Sequence, residues 1–220
     1  MEPFIALNFK AYAESLGNKG LALAKAARDV SRDNGVRIIV CPQFVDLWNV
    51  SALGVETFGQ GASDAEQGAH TGAVTLESLK GAGCRGLLVN HAENRIPKAS
   101  IEKIIARSKK LGLETMLCTK DVPESVELAK FNPTYIAIEP PELIGSGISV
   151  STAKPEIVKN AVDAVAKVSK SPVICGAGVS TGTDVKKAVE LGAKGVLLAS
   201  AYVNSKDPKK LLEEFAKAIA

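Results

Sequence analysis

Short apolar runs alternate along this chain with longer amphipathic stretches, and the alternation repeats from end to end. The apolar runs cover residues 4–7, 36–41, 55–60, 86–89, 115–118, 135–138, 173–175 and 195–199. Most are continuous rather than alternating, and several are β-branched, which is how a strand buried on both faces of a parallel sheet reads. Val55-Glu56-Thr57-Phe58 fits least well, being half polar. The stretches between the runs carry helical periodicity. Residues 154–169 place Val158, Ala161, Val162, Val165 and Val168 on one stripe, with Pro155 at a first-turn position. Asp207-Pro208 opens another helix, bearing Leu211, Leu212, Phe215, Ala218 and Ile219, and Ser100 opens a third with Ile101, Ile104, Ile105 and Leu111. Several of these stretches end in a glycine directly before a strand, as in Gly35-Val36, Gly54-Val55, Gly112-Leu113 and Gly192-Ala193. A left-handed C-cap at such a glycine turns the chain back into the sheet.

Strand–helix alternation throughout means βαβ units and a parallel sheet. Eight such units predict a closed (β/α)8 barrel of the α/β class. An open doubly wound sheet is disfavoured, because no G-x-G-x-x-G follows the first run. No Pro/Ser-rich linker or charge block divides the chain, so residues 1–220 read as a single barrel domain.

Composition narrows the partners. Lys and Arg number 27 against 24 Asp and Glu, giving a formal charge of +3. The basic residues are scattered, whereas nucleic-acid binding needs a concentrated basic face. An anionic metabolite fits better. No apolar run is long enough to span a bilayer, and Met1-Glu2-Pro3-Phe4 has no signal-peptide character, so no membrane partner is expected. Cys41, Cys84, Cys118 and Cys175 form no C-x-x-C pair and read as buried thiols of a reducing compartment, which points to the cytoplasm.

In a barrel of this kind the active site lies at the C-terminal ends of the strands. The residues there are Asn8-Phe9-Lys10, Asn90-His91-Ala92-Glu93, Glu139-Pro140-Pro141, Gly176-Ala177-Gly178 and Ala199-Ser200. Singly, each has an ordinary reading: a rim lysine, a hydrogen-bonded structural histidine, a glutamate opening a loop, a set of turn glycines. Together they put polar and ionisable groups at the ends of apolar strands, where such groups are costly without partners or work. His70 lies in the long loop after the third strand, without such company, and is not expected to be catalytic.

The combination resembles the triosephosphate isomerase family. Asn8-Phe9-Lys10 is similar to its N-x-K motif, and Asn90-His91-Ala92-Glu93-Asn94-Arg95 to its histidine segment. The stretch from Ile138-Glu139-Pro140-Pro141 to Gly145-Ser146-Gly147 looks like its catalytic glutamate and mobile lid. The three motifs stand in the family's order along essentially the whole chain, and the short length with a Glu-Pro-Pro-Glu-Leu lid resembles its archaeal-type branch. There are two departures: Ala92 stands where many members have Ser, and the lid lacks the aromatic residue and trailing Lys often found there.

The resemblance implies a TIM barrel that interconverts dihydroxyacetone phosphate and D-glyceraldehyde 3-phosphate through an enediol(ate) in glycolysis and gluconeogenesis. It implies Glu139, His91, Lys10 and Asn8 as the catalytic set. Glu139 would be the proton-transfer base, and His91 a neutral donor whose pKa is held down by a helical turn at residues 92–95. Lys10 would be the cation beside phosphate and enediolate, held by Glu93. The phosphate would lie among Asn8, Lys10, Ile144, Gly145, Gly178, Ala199 and Ser200. Neither a cofactor nor a metal is implied. The loop 61–75 is long for a strand–helix connection. Its Gly68-Ala69-His70-Thr71-Gly72 resembles the family's interdigitating loop, which implies a homodimer or homotetramer with Thr71 buttressing Asn8 and Lys10 of a second copy.

Two enzymatic rivals lack their chemistry. A metal-dependent epimerase needs several His and Asp ligands at strand ends, and a Schiff-base aldolase needs a lysine where Glu139 or Gly176 stands. A catalytically inactive barrel kept for binding, or another phosphate-binding isomerase, is the alternative. Intact Asn8, Lys10, His91 and Glu139 weigh against the inactive form.

Overall fold

The structure, a computed structural model, describes residues 2–143 and 149–219. Eight parallel strands close one barrel in chain order: β1 (Phe4–Asn8), β2 (Ile38–Cys41), β3 (Glu56–Gly59), β4 (Gly86–Val89), β5 (Glu114–Thr119), β6 (Tyr135–Ile138), β7 (Val173–Cys175) and β8 (Gly195–Leu198). Closure is direct, since β1 pairs with β2 through Ile5↔Ile38 and with β8 through Phe4↔Gly195. The helices among the described residues are α1 (Asn18–Asn34), α2 (Leu47–Ser51), α3 (Leu76–Gly81), α4 (Lys98–Leu111), α5 (Val122–Ala129), α6 (Val150–Ala153), α7 (Pro155–Val165), α8 (Gly182–Glu190), α9 (Ser200–Val203) and α10 (Pro208–Ile219).

The continuous apolar runs have a simple cause. Alternate strand residues point to opposite faces. Phe4, Ala6, Ile39, Cys41, Phe58, Met116, Cys118 and Tyr135 fill the barrel interior. Their neighbours Ile5, Leu7, Ile38 and Val40 face the helical shell, where they meet Ala24, Ala27, Leu212 and Phe215. Both faces are therefore dry. The half-polar third run is explained at the N-terminal mouth. There Glu56 and Glu114 both accept from the Arg37 guanidinium, which also donates to the Tyr135 hydroxyl and lies 5.2 Å above the Phe4 ring. Glu56 is thus one partner of a shared arginine rather than a stray surface charge.

Gly35 and Gly112 adopt left-handed φ of 67° and 70° at the ends of α1 and α4, as the glycine-before-strand pattern requires. All four cysteines are free and buried. Among the described residues, no helix is long and apolar enough to cross a membrane.

Some boundaries differ from the sequence expectation. The helix expected over 154–169 is α7, ending at Val165; beyond it tight turns carry the amides of Val168 and Ser169 back to Val165 O. The turns rotate Val168 off the apolar stripe and leave it 41% exposed. The helix expected from Ser100 begins earlier, at Lys98 behind Pro97, and β2 begins at Ile38 rather than Val36.

Candidate active site

A cavity of about 230 Å3 opens at the C-terminal ends of the strands, and its walls come from the segments after β1, β4, β6, β7 and β8. Asn8, Lys10, His91, Glu139, Gly178, Ala199 and Ser200 all line it. Ile144 and Gly145 lie outside the described residues, as does much of the expected lid. Glu93 does not line the cavity but touches two residues that do, Lys10 through its carboxylate and His91 through its backbone amide, and His70 sits in the exposed tip of the loop 61–75.

The lysine is held from two sides. Lys10 has φ 46°, a left-handed conformation that costs free energy for a residue with a Cβ. Its amide donates to Asn8 Oδ1 (2.9 Å), and its carbonyl accepts from Gln60 Nε2 (2.9 Å), which also donates to Cys41 O. The turn therefore lifts the side chain over the cavity, where Nζ meets Glu93 Oε1 at 2.6 Å.

His91 follows a second left-handed residue, Asn90 at φ 61°. Asparagine tolerates that region, and here its buried side chain fixes the turn by donating to Cys118 O (3.1 Å) and accepting from the Ile96 amide (3.2 Å). The backbone amide of Glu93 donates to His91 Nδ1 (3.1 Å), so the ring proton sits on Nε2. Nε2 lies 3.6 Å from Glu139 Oε1. Burial and the Lys10 charge lower the histidine's pKa, with the Glu93 carboxylate opposing them, so the ring is neutral at pH 7. The helical turn expected at residues 92–95 is instead a single turn closed by Asn94 N to His91 O; a lone amide, not a helix end, faces the ring.

Glu139 is 3% exposed, and its Oε2 finds no hydrogen-bond donor among the described residues. Burial raises its pKa to about 7, against the opposing effects of the Cys118 thiol and the Lys10 ammonium. The backbone holds it firmly, since Glu139 N donates to Thr119 O (2.8 Å) and Gly176 N donates to Ile138 O beside it. Gly176 has to be glycine for close approach: a Cβ there would stand 2.5 Å from Glu139 Cγ.

Two residues beyond Gly176, Gly178 has φ 71°, and the amides of Gly178 and Val179 meet no acceptor among the described residues. Ser200 and Ala201 open α9, where the first amides precede any intrahelical acceptor. With Lys10 nearby, this part of the wall suits an anion. Asn90 stands among the strand-end residues of the sequence without a role of its own, and Gln60 carries no expectation there. Their signal was available, because both are polar residues at the ends of apolar runs.

The family model for triosephosphate isomerase matches residues 3–218. The chain belongs to the triosephosphate isomerase family. It is 47% identical over 217 residues to the triosephosphate isomerase of Methanocaldococcus jannaschii, covering 98% of this chain and 99% of that one. Against the triosephosphate isomerase of Methanothermus fervidus the identity is 50% over 214 residues, with 96% of each chain covered. The crystal structure of the Bartonella henselae triosephosphate isomerase superposes with a TM-score of 0.78 over 99% of both chains at 16% identity, a likeness of fold. The relatives match from end to end, and the alternative readings find no support among them. Ala92, one of the two departures from the commoner triosephosphate isomerase pattern, sits in the turn just after His91 and is half-buried.

Proposed function

We propose that this chain interconverts dihydroxyacetone phosphate and D-glyceraldehyde 3-phosphate, with Glu139 as the base, His91 as the neutral hydrogen-bond donor and Lys10 as the fixed cation. One observation carries the assignment of roles. A buried carboxylate with a pKa of about 7 faces the protonated nitrogen of a neutral imidazole across 3.6 Å, in a cavity open to a small anion.

The chemistry follows from those groups. Glu139 takes a proton from the carbon next to the carbonyl, and the C–H electron pair moves to form the enediolate while the carbonyl π pair goes to oxygen. The proton on His91 Nε2 and the charge of Lys10 stabilise that oxygen as its charge grows. His91 Nε2 gives its proton to that oxygen and takes the proton of the adjacent hydroxyl in its place, so the hydroxyl proton passes from one oxygen to the other; protonated Glu139 then returns a proton to the neighbouring carbon, which regenerates the base and moves the carbonyl by one position. No electrons leave the substrate. The phosphate, held by Lys10 and the amides around Gly178 and Ser200, anchors the remote end, together with Asn8 and with Ile144 and Gly145 of the lid. Such a reaction belongs in the cytoplasm, in glycolysis and gluconeogenesis. A coupled assay supplying D-glyceraldehyde 3-phosphate tests the substrate: turnover supports it, and turnover of a longer sugar phosphate alone would assign the barrel elsewhere.

Self-association is part of the same proposal. Leu16, Phe44, Val45 and Trp48 are exposed, Val45 by 75% and Trp48 by 69%; the bond from Gly17 N to Asp46 Oδ2 ties the Leu16 turn to their segment. A cluster of this kind on a soluble surface suits an interface. The base of the loop 61–75 is strapped to α4, because Arg107 donates to Asp64 O and Ala65 O while pairing with Glu77. Only the tip, with Thr71, projects freely. A homodimer or homotetramer seats that tip beside the Asn8–Lys10 turn of a second copy. Thr71→Arg should weaken association by about tenfold or more, and activity should fall with dilution in step with the dimer. Sedimentation analysis paired with assay across a dilution series reads both, and a fully active wild-type monomer would exclude this arrangement.

A further inference from the structure

Asp184 is buried on the far side of the cavity wall and accepts more hydrogen bonds than a helix cap needs. As the third residue of α8 it completes a capping box with Thr181, accepting from Thr181 N (2.9 Å) while its own amide donates to Thr181 Oγ1 (3.2 Å). Two further segments converge on the same carboxylate. Ser180, which lines the cavity, donates its amide to Oδ2 (3.1 Å), and Thr152 of α6 donates its hydroxyl to Oδ1 (2.7 Å). The Asp184 carbonyl accepts from the buried Ser151 hydroxyl (2.9 Å), and Val150 N donates to Ala177 O (3.2 Å). Burial opposes the charge on Asp184, but the bonds from Thr152, Ser180 and Thr181 outweigh it and hold the pKa below the usual aspartate value.

The consequence lies one residue away. By taking the Ser180 amide, Asp184 turns that group out of the cavity and fixes the chain just beyond the left-handed Gly178, where the Gly178 and Val179 amides meet no acceptor among the described residues. From this convergence we infer that Asp184 is a positioning residue for the anion end of the site: it ties α6 and α8 to the residue 178–180 wall and so sets where the amides stand that receive the substrate's phosphate. The inference rests on the proposed function, because it presupposes a phosphate at that wall. A cap alone would make Asp184 matter for stability, whereas a positioning role makes it matter for anion affinity.

Thr152 separates the two, since its hydroxyl reaches Asp184 without taking part in the α8 cap. Thr152→Val should raise KM for glyceraldehyde 3-phosphate and the inhibition constant of inorganic phosphate together, by roughly threefold to tenfold, with kcat within about twofold of wild type. Thr152→Ser, which keeps the hydroxyl, should restore both constants. Asp184→Asn should weaken phosphate further and also lower the melting temperature. If Thr152→Val keeps wild-type KM and phosphate inhibition while Asp184→Asn loses only stability, Asp184 is a helix cap and the inference fails. Wild-type protein that turns over triose phosphate yet is not inhibited by phosphate would overturn it too. A wild type that neither turns over triose phosphate nor binds phosphate would instead remove the proposed function, and this inference with it.

Discussion

Glu139→Gln is expected to lower kcat by about 10^3- to 10^4-fold with KM changed by no more than roughly threefold. The amide keeps the shape of the side chain and cannot accept a proton from carbon. The pH dependence should identify the same group. Because burial lifts the Glu139 pKa to about 7, wild-type kcat/KM should fall as pH drops through 7 and the base becomes protonated. Stability should run the other way. A carboxyl whose folded pKa lies above its ordinary value near 4.5 binds its proton more tightly in the native state. It therefore contributes fully below the unfolded pKa, and that contribution is lost as pH rises through the folded one. Glu139→Gln, free of that buried charge, should be more stable than wild type by about 2 kcal/mol at pH 8 and by much less at pH 5. Denaturant melts at the two pH values check this; equal stabilities at pH 8 would mean that the carboxylate is not desolvated as its surroundings indicate.

Lys10→Met should reduce kcat/KM by about 10^2- to 10^3-fold, with both kcat and KM affected, because the charge faces substrate in the ground state and in the transition state. Methionine keeps the length of the side chain, and the left-handed turn at φ 46° is held by Asn8 and Gln60 rather than by the ammonium, so the fold should survive. Glu93 loses its partner, but at 55% exposed it can remain solvated. The ammonium also lowers the pKa of both Glu139 and His91. Without it the acid limb of the pH profile should move to higher pH, and His91 should protonate more readily. A profile unchanged in position, with only its height reduced, would show that Lys10 acts by contact with substrate and not through its field.

The barrel was legible in the sequence because two dry faces leave an unmistakable trace. Phe4 and Ala6 point in, Ile5 and Leu7 point out, and all four are apolar, so the run reads as continuous. Lys10, His91 and Glu139 stood out for the complementary reason, since an ionisable group at the end of such a run needs an explanation. The supports of those groups were harder to see. Gln60 holds the Lys10 carbonyl across fifty positions, and Asp184 gathers Thr152 and Ser180 across a helix boundary; nothing in local spacing announces either pairing. The segment after His91 is compatible with a helix residue by residue. It closes as a single turn because Asn90 Oδ1 captures the Ile96 amide and Pro97 has no amide to offer. The break between α6 and α7 has a similar origin. Pro155 marks a first turn, but only the fold makes the four residues Val150–Ala153 a separate turn that buries Val150 and Ser151 and packs against α8.

The most direct test of proton transfer by Glu139 is isomerisation in D2O followed by NMR of the products. With dihydroxyacetone phosphate as substrate, a proton taken by the carboxyl exchanges with solvent for part of the intermediate's lifetime. Trapped glyceraldehyde 3-phosphate should then carry deuterium at C2, with label and turnover lost together in Glu139→Gln. Efficient isomerisation with no solvent deuterium at C2, undiminished in Glu139→Gln, would contradict the account.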